Sequence, residues 1–254
     1  MKKTDLRSYG SKAAKFLIAG GLVAMIGFSA CNKDNNNNNA TGPNANVTEA
    51  DAAELTSDAV TPATGGFDGQ AKISVSIYVS ASAKFTCGEK KDTTITYSSP
   101  SDFIPNYSYA LSWDYELDCN SGIPSQFAFN FTGASKYNGV LMSSSDNSTG
   151  SFTISNPGAT SSTYTFGSSY ERSGKETSKV GYQKTFSSDL KFTSSNILIS
   201  KSTQEIVSGT ATITITGLAS NGNSFSFNGT ITFLGNKKAT LVLNSGTTYN
   251  IVWS

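Results

Sequence analysis

The segment Tyr109-Ala-Leu-Ser-Trp-Asp-Tyr-Glu-Leu117 places an apolar or aromatic residue at every second position, with small or charged residues between them. Successive side chains of an extended strand point to opposite faces, so this pattern directs one face to a core and the other to water. The alternation recurs downstream, for example over Phe127–Phe131 and Tyr249–Trp253. Such alternation favours antiparallel sheets, because buried parallel strands read as continuous apolar runs.

Turn residues separate the alternating runs, as at Asn138-Gly139 and Leu234-Gly-Asn236. The spacing predicts one all-β domain over residues 67–254, an antiparallel β-sandwich or a long meander of about 11–13 strands. A β-barrel or curved half-barrel is the alternative architecture. We expect the first strand to contain Ile73, Val75, Ile77 and Val79, and the last strand to reach the C-terminus.

The composition excludes several classes of function. The chain has 254 residues, no histidine, 15% charged residues and a formal net charge of +1. Histidine-based catalysis and histidine-ligated metals are therefore excluded, and nucleic acid is not an expected partner. Ser188 and Lys191 have the spacing of a serine–lysine catalytic pair, but that mechanism needs a helix and this segment reads as a strand. We predict no enzyme activity, no catalytic residue, no metal site and no cofactor.

The first thirty residues have the pattern of an export signal. Basic residues precede an uncharged apolar run, Phe16–Phe28, which is shorter than the about 20 residues that a bilayer span needs. The run ends in Phe28-Ser29-Ala30-Cys31. These residues resemble the lipobox of a lipoprotein signal peptide, with Phe28 in place of the usual leucine. The resemblance implies cleavage after residue 30 and acylation of Cys31, palmitate included.

The residues after Cys31 predict a tether over 31–66. Asn35–Asn39 and the scarcity of large apolar side chains leave too little surface to offset the entropy of ordering. Thr48–Leu55 is also compatible with two helical turns that Thr48 caps. The Asn-rich stretch resembles that of Bacteroidota-type outer-membrane lipoproteins. The resemblance implies a membrane-anchored protein on the cell surface or on the periplasmic face of the outer membrane.

Two further cysteines, Cys87 and Cys119, are expected to form a disulfide, because export leads to an oxidising compartment. In the predicted sheet both end long strands, with one short strand between them. Neighbours of one intervening strand lie about 9.6 Å apart, beyond the about 7 Å that a disulfide allows. The two residues must therefore meet across a sandwich or beyond the end of the middle strand.

Few residues are candidates for recognition. Asp114, Glu116 and Asp118 share one face of a strand, and we interpret them as a solvated face paired with lysines; a calcium site or a glycosidase pair is the alternative. Two segments, Ser101–Tyr107 and Ser168–Lys175, read as candidate binding loops, because aromatic and arginine residues on loops are common contact residues; loops that pack onto their own sheet are the alternative. The loop residues are Phe103, Ile104 and Tyr107 in the first segment, and Tyr170 and Arg172 in the second.

Asp92-Thr93-Thr94 resembles the site at which Bacteroidota-type bacteria attach O-glycans to exported proteins. The resemblance implies a glycan on Thr93.

Two functions remain open at this stage. The first is a non-enzymatic surface lipoprotein whose β-domain acts as a binding, adhesion or structural module, with a glycan or another envelope protein as partner. The second is a carrier of a lipid or another apolar molecule. A carrier needs an empty apolar volume, whereas the many inward Phe and Tyr side chains predict a filled interior.

Overall fold

The computed structural model describes residues 46–81, 86–102, 104–155, 160–179 and 183–253. Two helices, α1 (Glu49–Val60) and α2 (Phe67–Ala81), flank a 3-10 turn at Pro62–Thr64. No helix within these ranges is long and apolar enough to cross a membrane. The strands follow in chain order: β1 (Lys90–Ser98), β2 (Asn106–Asn120), β3 (Ile123–Asn138), β4 (Met142–Ser155), β5 (Thr163–Ser178), β6 (Thr185–Ser200), β7 (Ile206–Ala219), β8 (Ser224–Gly235), β9 (Lys238–Leu243) and β10 (Thr248–Val252).

The strands form one antiparallel sheet in which each strand pairs with its neighbour in sequence. Tight hairpins set this order; at the β8–β9 turn, Asn236 and Lys237 both have positive φ angles, 51° and 57°, as a type I′ turn requires. Strands β1 and β10 are the two edges of the sheet. The predicted meander is confirmed, although the described residues form ten strands and not the expected 11–13. The sandwich alternative is wrong, because the described strands belong to a single sheet.

The sheet curves around the start of α2. The ring of Phe67 lies 4.5–6.0 Å, centroid to centroid, from four phenylalanine rings on β4, β5, β6 and β8. Burial of these rings is one apolar contribution to the stability of the fold. The curvature corresponds to the half-barrel form of the prediction, with α2 in its concave side. The four rings belong to Phe152, Phe166, Phe192 and Phe233.

The strand predicted over residues 73–79 is wrong, because these residues lie in α2. Phe67, Ala71, Val75 and Tyr78 are buried, which is a helical spacing of four, four and three. Val79, which the alternation placed inward, is 46% exposed. The β-branched residues favour a strand locally, but packing against the concave side of the sheet stabilises the helix instead.

The predicted tether also ends earlier than expected. Residues 31–45 lie outside the described residues, whereas α1 is packed on the sheet with Leu55 and Val60 buried. The alternative of a capped helix is confirmed, since Thr48 and Asp51 form a capping box. The packed domain therefore includes α1, and a start at residue 67 is too late. Alanine side chains are small, so the hydrophobic pattern of the sequence gives little indication that they are buried against the sheet.

Cys87 and Cys119 form the predicted disulfide, with their Cα atoms 5.6 Å apart. The route to it differs from the prediction, because no strand runs from Ile73 to Cys87. Instead Cys87 precedes β1, which pairs directly with β2, so the two cysteines lie opposite each other at the start of that ladder.

Candidate functional site

A polar cluster lies beneath α1, on the concave face of the sheet. Arg172 of β5 donates hydrogen bonds to Asp146 Oδ2 at 2.5 Å, to Ser144 Oγ at 3.1 Å and to the carbonyl oxygen of Asp58 at 3.1 Å. Asp146 and Ser144 lie on β4, whereas Asp58 lies on α1. One guanidinium therefore connects two strands to the helix that covers them.

Space for the Asp146 carboxylate is left by a glycine on the neighbouring strand. Gly174 of β5 lies opposite Asp146 in the register. A Cβ atom at residue 174 would come within 2.2 Å of Asp146 Oδ1 and within 2.6 Å of the carbonyl oxygen of Ser145. Any side chain at this position would displace the carboxylate from Arg172.

The cluster holds more carboxyl groups than cations. Glu176 accepts a hydrogen bond from Ser188 Oγ at 2.8 Å, and its side chain also lies against Asp146. Three carboxyl oxygens of this cluster are buried without a hydrogen-bond partner among the described residues: Asp58 Oδ2, Asp146 Oδ1 and Glu176 Oε2. A buried acceptor of this kind is costly unless a proton is supplied.

Burial raises the pKa of three carboxyl groups in and beside this cluster, those of Glu54, Asp58 and Glu176. Desolvation, with the nearby Asp146 charge, raises the pKa of Glu176 to about 8. Desolvation, with the Asp51 charge, raises the pKa of Glu54 to about 7. Desolvation also raises the pKa of Asp58 well above its usual value, although the Arg172 charge acts in the opposite direction.

The cluster binds α1 to the sheet and offers no access to a substrate. Arg172, Asp146 and Glu176 are 6%, 4% and 1% exposed. A second ion pair, Lys184 Nζ to Asp51 Oδ2 at 2.8 Å, ties the first turn of α1 to the turn between β5 and β6. We therefore assign the cluster a structural role.

The predicted loop around residues 168–175 is wrong, because this segment lies within β5. Tyr170 is 1% exposed and stacks on Phe131, so it belongs to the core, and Arg172 belongs to the buried cluster. Neither side chain is available to a partner. The serine- and glycine-rich sequence imitates a loop, but its cross-strand partners on β4 and β6 hold it extended.

The other predicted loop is shorter than expected. Phe103 lies outside the described residues, and Ile104 is 61% exposed between β1 and β2. Tyr107 lies in β2, where its ring stacks on Tyr97 at 5.3 Å. Of the three residues, Ile104 alone is both described and freely exposed.

The acidic side chains of β2 behave as a solvated strand face. Glu116 pairs with Lys90 of β1 at 3.1 Å, which is the lysine pairing predicted. Asp114 and Asp118 accept hydrogen bonds from Asn130 and Gln126 of β3. Within the described ranges, no group of three or more acidic or cysteine side chains is placed to hold a metal ion.

A groove crosses the outward face of the sheet over β1 to β4. It has a volume of about 540 Å³ and is open to solvent. The register aligns small side chains here, as where Ala110 lies opposite both Thr96 and Ala134, so neighbouring strands leave a depression. The outward residues that line it are Thr96, Ser98, Ser108, Ala110, Ala134, Lys136, Ser145 and Asn147.

The groove residues carry hydrogen-bonding groups without an obvious sequence motif. Serine and threonine hydroxyls both donate and accept, the Asn147 amide does the same, and Lys136 adds a positive charge. Lys136 lies opposite Ser108 on one side and Ser145 on the other. Sequence reasoning missed this surface, because it arises from the pairing of four strands and not from one segment.

Comparisons with known proteins identify no relative: no protein-family model, no curated protein and no solved structure matches the chain.

Proposed function

We propose that the protein is a non-enzymatic, lipid-anchored lipoprotein of the outer membrane whose β-domain binds a glycan in the outward groove over β1 to β4. The observation that carries the proposal is the filled interior. The Phe67 ring occupies the centre of the concave face, within 6.0 Å of four other rings. This packing argues against the alternative function, a carrier of a lipid or another apolar molecule, and directs recognition to the outer surface.

The chemistry of the groove supports a polar ligand. Its lining offers hydroxyl groups, an amide and one ammonium group, which match the hydroxyl-rich surface of a glycan. Lys136 also favours glycans that carry acidic groups. The lipid anchor is supported by the resemblance of Phe28-Ser29-Ala30-Cys31 to a lipobox.

The anchor is tested by metabolic labelling of the full-length chain with a palmitate analogue in an expressing bacterium. We expect label on the wild-type protein and none on Cys31→Ala, which should leave the membrane fraction. Protease treatment of intact cells then distinguishes the cell surface from the periplasmic face. Equal labelling of both chains would show that Cys31 is not the acylated residue.

The groove is tested by glycan-array binding of a chain that begins at residue 32. We expect Ala134→Trp to abolish binding, because the new ring fills the centre of the groove. The matched control is Thr230→Trp, which places the same ring on the exposed outward face of β8. If Ala134→Trp binds like the wild type, the groove is not the binding site; if the wild type binds no glycan, the ligand class is wrong.

A further inference from the structure

Strand β1 presents an open edge of the sheet. Within the described part of the chain, β1 pairs with β2 alone. Its inward side chains, Thr93, Ile95 and Tyr97, are only half-buried, whereas Leu111 and Trp113 opposite them on β2 are buried. These side chains are exposed on the side away from β2, where a further strand of the sheet would cover them.

The backbone groups that point to this edge follow from the ladder. The amide of Ser99 donates to the carbonyl oxygen of Tyr107 at 2.8 Å, so residues 99 and 107 are a hydrogen-bonded pair. Hydrogen-bonded and non-hydrogen-bonded pairs alternate in an antiparallel ladder. The odd-numbered residues of β1 therefore bond to β2, and the N–H and C=O groups of Thr94 and Thr96 point to the open edge.

The two edges of the sheet are not equally protected. Strand β10 has five residues, and α1 packs against it. Strand β1 has nine residues, and its charges, Lys90, Lys91 and Asp92, are confined to the first three positions. Charged residues discourage pairing along an edge, so the uncharged part from Thr93 to Ser98 is left available.

We propose that β1 pairs antiparallel with β1 of a second copy of this chain, with Ile95 on the two-fold axis. In this register Thr94 lies opposite Thr96 of the copy, so the edge-pointing backbone groups of both chains meet. Ile95 lies opposite Ile95 as a non-hydrogen-bonded pair, in which side chains approach most closely. Thr93 lies opposite Tyr97 and covers its half-exposed ring, so this pairing excludes the O-glycan that the sequence resemblance implies on Thr93.

The same register avoids conflict between charges. Asp92 falls opposite Ser98, and Lys91 falls opposite Ser99, so no like charges face each other. Lys90 falls opposite Pro100, which has no N–H group and ends the pairing. Because the two-fold axis is perpendicular to the sheet, both outward grooves lie on one face of the dimer. The pairing itself does not depend on the proposed glycan binding.

Pairing is tested by disulfide cross-linking of the full-length chain in the membranes of an expressing bacterium. We expect Ile95→Cys to yield a cross-linked dimer on a non-reducing gel. The register control is Thr93→Cys, which should stay monomeric because the two new thiols are separated by four residues along the strands, about 13 Å. Equal cross-linking of both variants would show random collision and overturn the proposal, as would a monomeric Ile95→Cys.

A proline variant separates dimerisation from folding. Thr94→Pro removes an N–H group that points to the open edge and leaves the ladder to β2 intact, so the variant should fold. We expect the Ile95→Cys cross-link to disappear in the Thr94→Pro background while the melting temperature of the monomer stays near that of the wild type. Cross-linking that persists in this folded double variant would overturn the proposal.

Discussion

At the scale of single residues, the buried guanidinium of Arg172 is the least replaceable charge. It is the only basic residue among the buried residues that the structure describes, and it faces Asp146, Asp58 and Glu176. A buried ion pair adds little over an apolar pair, yet losing one partner leaves an uncompensated charge. The pair therefore specifies how β4, β5 and α1 meet.

Replacing Arg172 tests whether losing one partner of the ion pair costs more stability than losing both. We expect Arg172→Leu to lower the free energy of unfolding by about 3–5 kcal/mol, because Asp146 loses its cation. The double variant Arg172→Leu with Asp146→Leu should be less destabilised than Arg172→Leu alone. Urea denaturation measures both. Lys191→Leu, which breaks the exposed pair with Glu171, is the control and should cost about 1 kcal/mol or less. A double variant that is at least as destabilised as Arg172→Leu alone would contradict the pairing.

The glycine beneath Asp146 makes a second prediction. Gly174→Ala should destabilise the fold by about 1–3 kcal/mol, since the new methyl group meets Asp146 and the Ser145 backbone. Gly167→Ala on the same strand is the matched control, because its closest neighbour, Thr153 Oγ1 at 2.7 Å, is a hydroxyl that can rotate away. Thermal unfolding should give a lower melting temperature for Gly174→Ala than for Gly167→Ala. Equal melting temperatures would show that a side chain at residue 174 causes no particular strain.

At the scale of elements, the contact between α1 and the sheet includes buried carboxyl groups whose pKa is raised. Unfolded Asp and Glu titrate near pH 4, whereas burial raises the pKa of Glu54 to about 7 and that of Glu176 to about 8. At these two groups the folded chain therefore binds more protons than the unfolded chain across this window. Their contribution to the free energy of unfolding then falls as the pH rises from about 4 to about 8.

We accordingly expect a lower urea midpoint at pH 8.5 than at pH 5.5. Glu176→Gln should flatten this dependence, because an amide keeps the shape of the protonated acid and cannot ionise. Glu171→Gln is the control, since the Glu171 side chain is 50% exposed and should leave the slope unchanged. A wild-type midpoint that rises between these pH values would contradict the buried protonated acids.

At the scale of the whole molecule, the helices fill the concave side of the open, curved sheet. Phe67 lies at the centre of the concave face, and α1 covers the polar cluster. A chain that begins at residue 67, where the sequence pattern places the domain start, lacks the buried side chains of α1. These side chains include Ala52, Ala53, Leu55, Ala59 and Val60.

Truncation tests which boundary is correct. We expect a chain that begins at residue 46 to melt cooperatively near the temperature of a chain that begins at residue 32. For a chain that begins at residue 67, the free energy of unfolding should be lower by several kilocalories per mole. This chain exposes the Arg172 cluster and lacks the buried side chains of α1. Circular dichroism during heating measures both. If the shorter chain melts like the longer one, α1 is not part of the folded core.

Prediction from sequence succeeded where the signal was local and repeated. Alternation in segments such as Tyr109–Leu117 was sufficient for antiparallel strands, and short turns were sufficient for their sequential order. The prediction failed at α2, whose β-branched residues satisfy both periods, and at residues 168–175, whose composition suits both a loop and a strand. In both cases, contacts with residues distant in the sequence determine the conformation of the segment.

The sequence by itself determined an all-β domain of antiparallel strands, because the period of two and the turn residues act within a few residues of each other. It also predicted the disulfide partners, since Cys87 and Cys119 are the two cysteines that remain besides Cys31. Only the tertiary structure decided the single curved sheet, the helices in its concave side, the buried Arg172 cluster and the outward groove. Each of these depends on residues from several elements meeting in space, and such contacts leave no periodic trace along the chain.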